Sequence, residues 1–316
     1  MKKVIVTSRS FGSGSVDFVA KLTHAGIEVI FADSKHDLVE LGEKLATADA
    51  WIAGTSPVTD EMLALAPKLK ILARYGVGFE SVDLSAAKAR EIVVTNTPGA
   101  NSLAVAELTI GLTIAALRGI AQSAQKVVQN DWSVIRGQQL EGSIVGIIGF
   151  GRIGRILASK LQALGCEIWI CDPFINANEI VKLGFKSKTL IEIAVAAQIV
   201  SLNAPGDVQI VDAGWMAVAQ PDQVIINTAR AELVDESAIA DGLRSGALFA
   251  YAADTLKGEK NSKESPLMAT DIADKVTITA HLGAQTVGAV DLMGEMSTAN
   301  VMAVLAGGSP LNPVAL

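Results

Sequence analysis

The strongest constraint on the fold is a regular alternation of apolar, strand-length runs with segments of helical periodicity. The runs occupy two sets of positions, first 3–8, 28–32, 50–54, 69–75 and 91–96, then 143–150, 167–172, 197–203, 223–228, 249–254 and 276–280. Helical patterns such as SVDFVAKLTHAG and TDEMLALAPKL separate them. This β-α-β order predicts an α/β fold of parallel, doubly wound sheets covered by helices on both faces.

The two sets of strands predict two domains, which a chain of 316 residues can accommodate. A long helical stretch at 102–125 lies between the sets, and another helical pattern fills the tail after position 282. We therefore predict two Rossmann-like or flavodoxin-like domains around a cleft, linked by two crossing helices. The first domain comprises 1–100 plus 283–316, and the second comprises 101–282.

Composition excludes several classes of function. The formal net charge is −7 and no basic run occurs, which argues against binding to nucleic acid or to an anionic membrane. No apolar run approaches the roughly 20 residues of a membrane span, and the start, MKKVIVTSRS, lacks the apolar region of a signal peptide. We expect a cytoplasmic protein with no metal site, in which Cys166 and Cys171 are unpaired thiols.

A glycine motif follows the strand at 143–150. Positions 149–154 read G-F-G-R-I-G, a G-x-G-x-x-G that ends an apolar strand and opens a helix. Gly149 permits a tight turn, Gly151 lets a pyrophosphate approach the backbone, and Gly154 lets helix and strand pack closely. The amides of the helix start, including Arg152 and Ile153, would face the phosphates.

An acidic residue ends the next strand. Asp172 lies 23 positions after Gly149, close to the roughly 20 expected for the acid that binds the adenosine ribose. A carboxylate there accepts hydrogen bonds from ribose hydroxyls and repels a 2′-phosphate. The pattern therefore predicts NAD, rather than NADP, as the cofactor of the second domain.

Three later strands end in polar residues that could carry chemistry. Arg230 follows the strand at 223–228, Asp254 ends the strand at 249–254, and His281 follows the strand at 276–280. Ligands of open α/β sheets bind at this carboxyl edge. The other histidines, His24 and His36, resemble solvated residues at helix ends.

At these residues the chain resembles the D-isomer-specific 2-hydroxyacid dehydrogenases, and within them most closely the phosphoglycerate dehydrogenases. The likeness covers nearly the whole chain and rests on LKILARYGVGFESVDLSAAKAREIVVTNTPGANSLAVAELTIGL, GIIGFGRIG, INTARAELVDE, AADTLKGE and HLGAQT. It implies hydride transfer between NAD and a small anionic 2-hydroxy or 2-keto acid. It also implies a homodimer that pairs through the second domain, with 118–142 and Trp132 as an arm.

The resemblance places the catalytic arginine, glutamate and histidine at Arg230, Glu259 and His281. Arg230 would hold the substrate carboxylate and polarise the C2 oxygen, and His281 would take the C2 hydroxyl proton. Glu259 would orient the imidazole and stabilise its protonated form, so oxidation should gain with rising pH and reduction with falling pH. Glu264 is a competing candidate for the glutamate, and Arg230 could instead pair with Glu232 or Asp235.

Further positions follow from the same resemblance. Additional cofactor contacts fall on Thr228, Ala229, Asp254 and Gly283. Substrate contacts fall on Arg74, Gly76, Val77, Gly78 and Asn101, with Arg74 a candidate partner for a second anionic group such as a phosphate. Departures from the usual family pattern occur at Ala231, Asn203, Lys260 and Ala280.

The sequence leaves three functions open. The first is oxidation of D-3-phosphoglycerate in serine biosynthesis. The second is reduction of glyoxylate, hydroxypyruvate or another 2-keto acid. The third, of a different class, is an NAD-sensing binding protein related to corepressors on this fold. Because the chain stops after GGSPLNPVAL, we expect no appended regulatory domain.

Overall fold

The computed structural model of the chain describes residues 1–315, and the side chains of 260–262 lie outside that description. It separates into two compact units, one formed by Met1–Ala104 with Ala284–Leu316 and the other by Val105–Gly283. We refer to them as unit 1 and unit 2 and describe each by itself.

Unit 1 begins with five strands and four short helices in strict alternation. The strands are β1 (Lys2–Val6), β2 (Ile27–Phe31), β3 (Ala50–Ala53), β4 (Ile71–Arg74) and β5 (Val93–Thr95), and the helices are α1 (Phe18–His24), α2 (Leu38–Leu45), α3 (Asp60–Ala64) and α4 (Leu84–Ala89). The sheet order is β2-β1-β3-β4-β5, and every pair is parallel. This is the flavodoxin-like order.

The helices of unit 1 begin where the sequence supplies a side-chain cap. Asp17, Asp37, Thr59 and Asp83 each accept a hydrogen bond from a backbone N–H in the first turn of the following helix. Such caps contribute about 1 kcal/mol each, which matters for helices of only five to eight residues. Strands β3 and β4 are buried on both faces, which explains their continuous apolar runs.

Unit 2 carries the second set of strands and most of the remaining helices. Its helices are α5 (Ser102–Arg118, which starts in unit 1), α6 (Ile120–Val128), α7 (Arg152–Ala163), α8 (Ala177–Lys182), α9 (Leu190–Ala196), α10 (Ala213–Met216) and α11 (Glu236–Ser245). Its strands are β6 (Ile144–Ile148), β7 (Glu167–Cys171), β8 (Lys186–Ser187), β9 (Ile199–Leu202), β10 (Gln223–Asn227), β11 (Leu248–Ala253) and β12 (Val276–Ile278).

The sheet of unit 2 is wholly parallel, in the order β12-β11-β10-β9-β6-β7-β8. The chain winds outward in one direction from β6 through β7 to β8, then restarts at β9 on the other side of β6. The strand order therefore reverses between β6 and β9. Strand β8, only two residues long, was not predicted from the sequence.

Apolar clusters cover both faces of the unit 2 sheet. One contains Val145, Ile147, Leu157, Leu161, Ile168 and Ile170, and the other contains Ile193, Val200, Leu202, Ile225, Leu243 and Tyr251, all buried. Fully burying a side chain of this size contributes about 1.5–3 kcal/mol before entropic costs. Both thiols are free, Cys166 buried and Cys171 partly buried.

The predicted single helix at 102–125 is broken into α5 and α6. The two helices meet at an angle of 63° at Gly119, whose φ is 58°. A Cβ at Gly119 would lie 3.0 Å from the Cγ2 atom of Ile135, so the left-handed backbone and the close contact both favour glycine.

The chain returns to unit 1 between Gly283 and Ala284, before the last helix, α12 (Val287–Leu305), begins. Helix α12 therefore lies entirely in unit 1. Within residues 1–315, no single helix has the length and apolarity needed to cross a membrane. The helices α5 and α6 taken together have sufficient length and apolar composition, but they are bent by 63° relative to each other.

Candidate active site

A histidine–glutamate pair lies beyond the carboxyl end of β12. The Nδ1 atom of His281 is 2.7 Å from the Oε1 atom of Glu259. Because a carboxylate only accepts hydrogen bonds, the Nδ1–H donates to Glu259. In the neutral ring the lone pair is then on Nε2, and that side of the imidazole is the one able to accept a proton. No contact joins His281 to Glu264 among the described side chains, whereas Glu259 meets it directly.

Both partners of this pair have unusual backbones. The φ angle is 55° at His281 and 36° at Glu259, in the left-handed region that non-glycine residues seldom occupy. Such conformations cost of order 1 kcal/mol or more each and persist where surrounding structure holds them. At His281 the conformation is held by hydrogen bonds from the adjacent backbone to Asp254.

Asp254 anchors the turn that carries His281. Its carboxylate is 2% exposed and accepts hydrogen bonds from Thr279 Oγ1 at 2.6 Å, Leu282 N at 2.7 Å and Gly283 N at 2.8 Å. These donors flank His281 on both sides. Three of the roughly four acceptor positions of the carboxylate are therefore occupied, leaving one for the cofactor contact expected at this residue.

Arg230 lies three residues beyond the end of β10, with β11 between that strand and β12. The amide of Asn227 shapes its loop, since Nδ2 donates to the Arg230 carbonyl at 2.8 Å and Oδ1 accepts from Ala229 N at 3.1 Å. The Arg230 side chain is half-buried, and its Nη1 donates to the Ala229 carbonyl at 2.8 Å. Thr228 is buried, with its hydroxyl 2.8 Å from that of Thr109.

The departures from the family pattern have distinct surroundings. Ala231 is buried and starts a 3₁₀ turn with φ outside the left-handed region, so a Cβ there meets no backbone conflict. Ala280 is exposed. Asn203 donates through Nδ2 to Ser201, whereas its buried Oδ1 has no hydrogen-bond partner among the described residues. The side chain of Lys260 lies outside the described residues.

The glycine turn lies where the strand order reverses. Gly149 follows β6 with a φ of 94°, and a Cβ there would lie 2.6 Å from the carbonyl oxygen of Asn203, just after β9. Only glycine fits both conditions. The crevice at such a reversal point is where open parallel sheets bind their ligands.

The other two glycines of the motif have contrasting surroundings. A Cβ at Gly154 would lie 2.2 Å from the carbonyl oxygen of Gly149, so helix α7 packs against the turn too closely for any side chain at this position. A Cβ at Gly151 would meet no atom within 4 Å. Gly151 also caps α7 without a side-chain hydrogen bond, unlike the Thr189 cap of α9. The space beside Gly151 is open, and the first amides of α7, including those of Arg152 and Ile153, have no acceptor within the helix, which makes them candidates to bind a diphosphate.

Asp172 lies beside this turn, at the end of β7. Its Oδ2 accepts from Phe150 N at 2.7 Å and its Oδ1 from Phe174 N at 2.8 Å. The carboxylate therefore ties the glycine turn to β7 and retains lone pairs for ribose hydroxyls. Burial, with a smaller contribution from Asp172, raises the pKa of the neighbouring Cys171 thiol, which stays protonated at neutral pH. These groups fit the adenosine half of a dinucleotide.

The residues predicted to contact substrate belong to unit 1. Arg74 is buried at the end of β4, and its Nη1 donates to the carbonyls of Ala53 and Tyr75. Gly76 follows with a φ of 147°, and the carbonyl of Val77 accepts from the side-chain amide of Asn96 at 2.7 Å. Gly78 and Asn101 are partly buried.

The residues that hold these loops in place were not predicted from the sequence. Asn227 and Thr279 were not singled out, although both are polar and lie at or just beyond the end of an apolar strand. Their position in the sequence could have identified them, because ligands bind at the carboxyl edge of a parallel sheet and buried polar groups there form hydrogen bonds that fix the loops. The described residues contain no group of three or more His, Cys, Asp or Glu side chains able to hold a metal ion.

Comparison with known proteins places the chain among dehydrogenases. The sequence profile of the D-isomer specific 2-hydroxyacid dehydrogenase NAD-binding domain matches residues 110–283. The D-3-phosphoglycerate dehydrogenase of Mycobacterium leprae is 34% identical over 287 residues, which cover 89% of this chain and 53% of that protein. The chain thus spans about half the length of that relative.

Two further proteins are similar over most of their own length. The hydroxypyruvate reductase of Thermotoga maritima is 31% identical over 248 residues, covering 77% of this chain and 80% of that one. The crystal structure of the TT0316 protein of Thermus thermophilus superposes with a TM-score of 0.89 at 29% identity, covering 99% of this chain and 100% of that one.

The matched profile and the geometry of the glycine turn agree on the cofactor. The profile describes an NAD-binding domain and extends from within α5 to the turn after His281. The uncapped start of α7, the open space beside Gly151 and the carboxylate of Asp172 are compatible with NAD binding at this turn. NAD is the cofactor of unit 2, and the chain belongs to the D-isomer-specific 2-hydroxyacid dehydrogenase family.

Proposed function

We propose that the chain transfers a hydride between NAD and a D-2-hydroxy acid, with D-3-phosphoglycerate as the substrate. The observation that carries the proposal is the 2.7 Å pair of His281 and Glu259 at the same sheet edge as Arg230. A base oriented by a carboxylate, together with a guanidinium, is the set of groups that oxidation of a 2-hydroxy acid needs.

Each of the three residues has a defined task in the proposed reaction. Arg230 holds the substrate carboxylate and polarises the C2 oxygen through its fork of donors. Nε2 of His281 takes the hydroxyl proton during oxidation and returns it during reduction. Glu259 keeps the proton on Nδ1 and stabilises the imidazolium that forms. NAD, held by the glycine turn 149–154 and Asp172, would supply the hydride acceptor for oxidation and, in its reduced form, the hydride donor for reduction.

The identity of the substrate is supported by similarity and by Arg74. The relative at 34% identity is a D-3-phosphoglycerate dehydrogenase. Among the predicted substrate residues Arg74 is a cation, 6% exposed, whose Nη1 donates to two backbone carbonyls, so a phosphate would have to be bound by its other nitrogens. A charged hydrogen bond to a phosphate contributes about 1.5–3 kcal/mol, which would favour the phosphorylated acid about 10- to 150-fold. On this proposal the chain serves serine biosynthesis in the cytoplasm.

A second candidate is reduction of hydroxypyruvate or glyoxylate. The similarity to the Thermotoga maritima hydroxypyruvate reductase favours it, because that match covers most of both chains. The catalytic tasks of Arg230, Glu259 and His281 are the same for either acid, and the two candidates differ only in the second anionic group.

A third candidate is an NAD-sensing protein, which would bind the cofactor but would not catalyse a reaction. The direct contact between His281 and Glu259 favours an enzyme, since a sensor has no use for an oriented base.

Steady-state kinetics separates the three candidates. We would measure kcat/KM for 3-phosphohydroxypyruvate, hydroxypyruvate and glyoxylate, each with NADH and NADPH. We expect kcat/KM for 3-phosphohydroxypyruvate to exceed that for the other two acids by at least about tenfold, and kcat/KM to be higher with NADH than with NADPH. Equal or lower activity with the phosphorylated acid would shift the assignment to the reductase. NADH binding without turnover on any of the three would indicate a sensor.

We further propose a homodimer that pairs through an arm of unit 2. The arm, 118–142, carries Trp132, which is 75% exposed, and Val134, which is 93% exposed. Large apolar side chains exposed together are unusual on monomers and are typical of protein–protein contacts.

A further inference from the structure

Glu236 is a buried carboxylate to which neither the cofactor nor the substrate assignment gives a task. It is the first residue of α11 and is 6% exposed. Its neighbour Asp235 already caps that helix, accepting from Ser237 N at 2.9 Å and Ala238 N at 3.3 Å. Capping therefore does not explain Glu236.

The two oxygens of Glu236 contact the two ends of one loop. Oε1 accepts from Lys257 N at 2.8 Å, and Oε2 accepts from Ser265 Oγ at 2.7 Å. The segment between those positions includes Gly258 and the 3₁₀ turn Glu259–Glu264. One side chain thus fixes both ends of the loop that presents Glu259 to His281.

The buried carboxylate of Glu236 is surrounded by uncharged hydrogen-bond donors. Both donors are neutral, and no lysine, arginine or histidine forms an ion pair with Glu236 among the described residues. The burial of a carboxylate without a cation is unfavourable by itself and is offset here by the two hydrogen bonds and by the N-terminal end of α11, both of which depend on the position of the side chain. The loop it fixes also holds Glu259 at the left-handed φ of 36°, a conformation that its surroundings must impose.

We propose that Glu236 is the positioning residue for Glu259. By fixing Lys257 and Ser265 it holds the loop so that the Glu259 carboxylate meets Nδ1 of His281. The proposal rests on the proposed function, in which that pair acts on the substrate proton. It assigns Glu236 no contact with substrate or cofactor.

The test is a double-mutant cycle between Glu236→Gln and Glu259→Gln. A glutamine at 236 has the same shape but replaces one carboxylate oxygen by an NH2 donor and removes the charge. The contact with Lys257 N or with Ser265 Oγ must therefore be lost or, at Ser265, reversed, and neither keeps the strength of a hydrogen bond to a carboxylate. We expect E236Q to lower kcat about tenfold, to leave the KM for NADH within about twofold, and to reproduce the altered pH–rate profile of E259Q. The double variant should be no slower than E259Q alone, because the two residues act as one unit.

Additive losses of rate in the double variant would overturn the proposal, since they would show that Glu236 acts independently of Glu259. Asp241→Asn is the matched control, because Asp241 is an exposed carboxylate of α11 whose one ion-pair partner among the described side chains is Arg244. It should leave kcat and the pH profile unchanged. If E236Q does not fold, Ser265→Ala removes one of the two loop contacts and carries the same test.

A second measurement separates this proposal from the proposed function. The titration of the His281 imidazole can be followed by ¹⁵N NMR in the NADH-bound protein without any turnover. E236Q should change that titration in the same direction as E259Q, whether or not a 2-keto acid is reduced. A His281 titration unaffected by E236Q but altered by E259Q would refute the positioning role, even if the enzyme were fully active.

Discussion

His36 lies in the interior of unit 1, 3% exposed, where we expected a solvated helix end. That expectation was wrong, and only His24 is exposed as predicted. The hydroxyl of Thr7 accepts from the Trp51 indole N–H at 3.0 Å and from Gly54 N at 3.4 Å. With both lone pairs engaged, it donates to Nε2 of His36 at 2.8 Å. Nδ1–H donates to the Pro57 carbonyl at 2.7 Å. The network is complete only when the imidazole is neutral.

The surroundings of His36 predict a pH dependence of stability. Burial lowers the pKa of His36, with a smaller contribution from the Arg74 cation, while the Pro57 carbonyl and Asp33 oppose that shift. Below the unfolded pKa of about 6.5, the unfolded chain therefore binds a proton that the native chain does not. The stability due to neutral His36 is present in full above that pH. It is lost as the pH falls towards the lowered native value, at no more than about 1.4 kcal/mol per pH unit.

Urea unfolding of the wild type and of His36→Asn measures this loss. Asparagine tolerates the φ of 60° at this position and does not titrate. The advantage of the wild type should be largest at pH 7–8 and should shrink between about pH 6.5 and 5. A difference that stays constant over that range would show that His36 does not contribute to the pH dependence.

Asp172 should control the choice of dinucleotide. Replacing it with serine removes the carboxylate that repels a 2′-phosphate, and we expect the NADPH-to-NADH ratio of kcat/KM to rise about tenfold. Because Asp172 also accepts from Phe150 N in the glycine turn, the Kd for NADH should rise as well. Kinetics with both cofactors and fluorescence titration of NADH measure these effects. An unchanged ratio would contradict the ribose-binding assignment.

At the scale of elements, the β6–α7 unit shows how one motif serves folding and binding through different glycines. Gly154 is required by a contact within the unit, since its Cα faces the Gly149 carbonyl at a distance that leaves no room for a Cβ. Gly151 has negative φ and open space in front of it, so nothing in the fold requires a glycine there. Its lack of a side chain matters only when a ligand approaches.

Alanine substitutions at these two positions should therefore differ. Gly154→Ala forces helix and turn apart, and we expect it to destabilise unit 2 by more than about 2 kcal/mol. Gly151→Ala should leave the unfolding midpoint within about 0.5 kcal/mol of wild type but raise the Kd for NADH at least about tenfold. Thermal unfolding and NADH titration provide both readouts. A Gly151→Ala protein that binds NADH normally would refute the diphosphate assignment.

At the scale of the whole molecule, the exposed arm at 118–142 predicts a concentration-dependent assembly. Replacing Trp132 and Val134 by serine together removes two of the large exposed apolar side chains of the arm. We expect the solution mass, measured by light scattering after size exclusion, to fall from twice to once the 32.9 kDa of the chain. Val39→Ser is the control, because Val39 is 87% exposed on α2 of unit 1. A wild-type mass of 32.9 kDa would refute the dimer.

Much of the fold was predictable because strands buried on both faces appear as continuous apolar runs. All eleven predicted strands are present within a residue or two of their predicted bounds. The strand β8, Lys186–Ser187, escaped prediction because two residues carry no periodicity. The break at Gly119 escaped because a single glycine is tolerated within many helices, and here it is the contact with Ile135 that favours it.

The sequence by itself determined the α/β class, the glycine turn and the acid after β7, because each depends on residue type and spacing along the chain. The catalytic tasks of Arg230, Glu259 and His281 follow from the resemblance to the family and remain predictions. Only the tertiary structure decided which glutamate meets His281, that His36 is buried, and that Glu236 fixes the loop of Glu259. Those are contacts between segments 20 or more positions apart. Their partners are chosen by the path of the backbone through space, which local patterns do not encode.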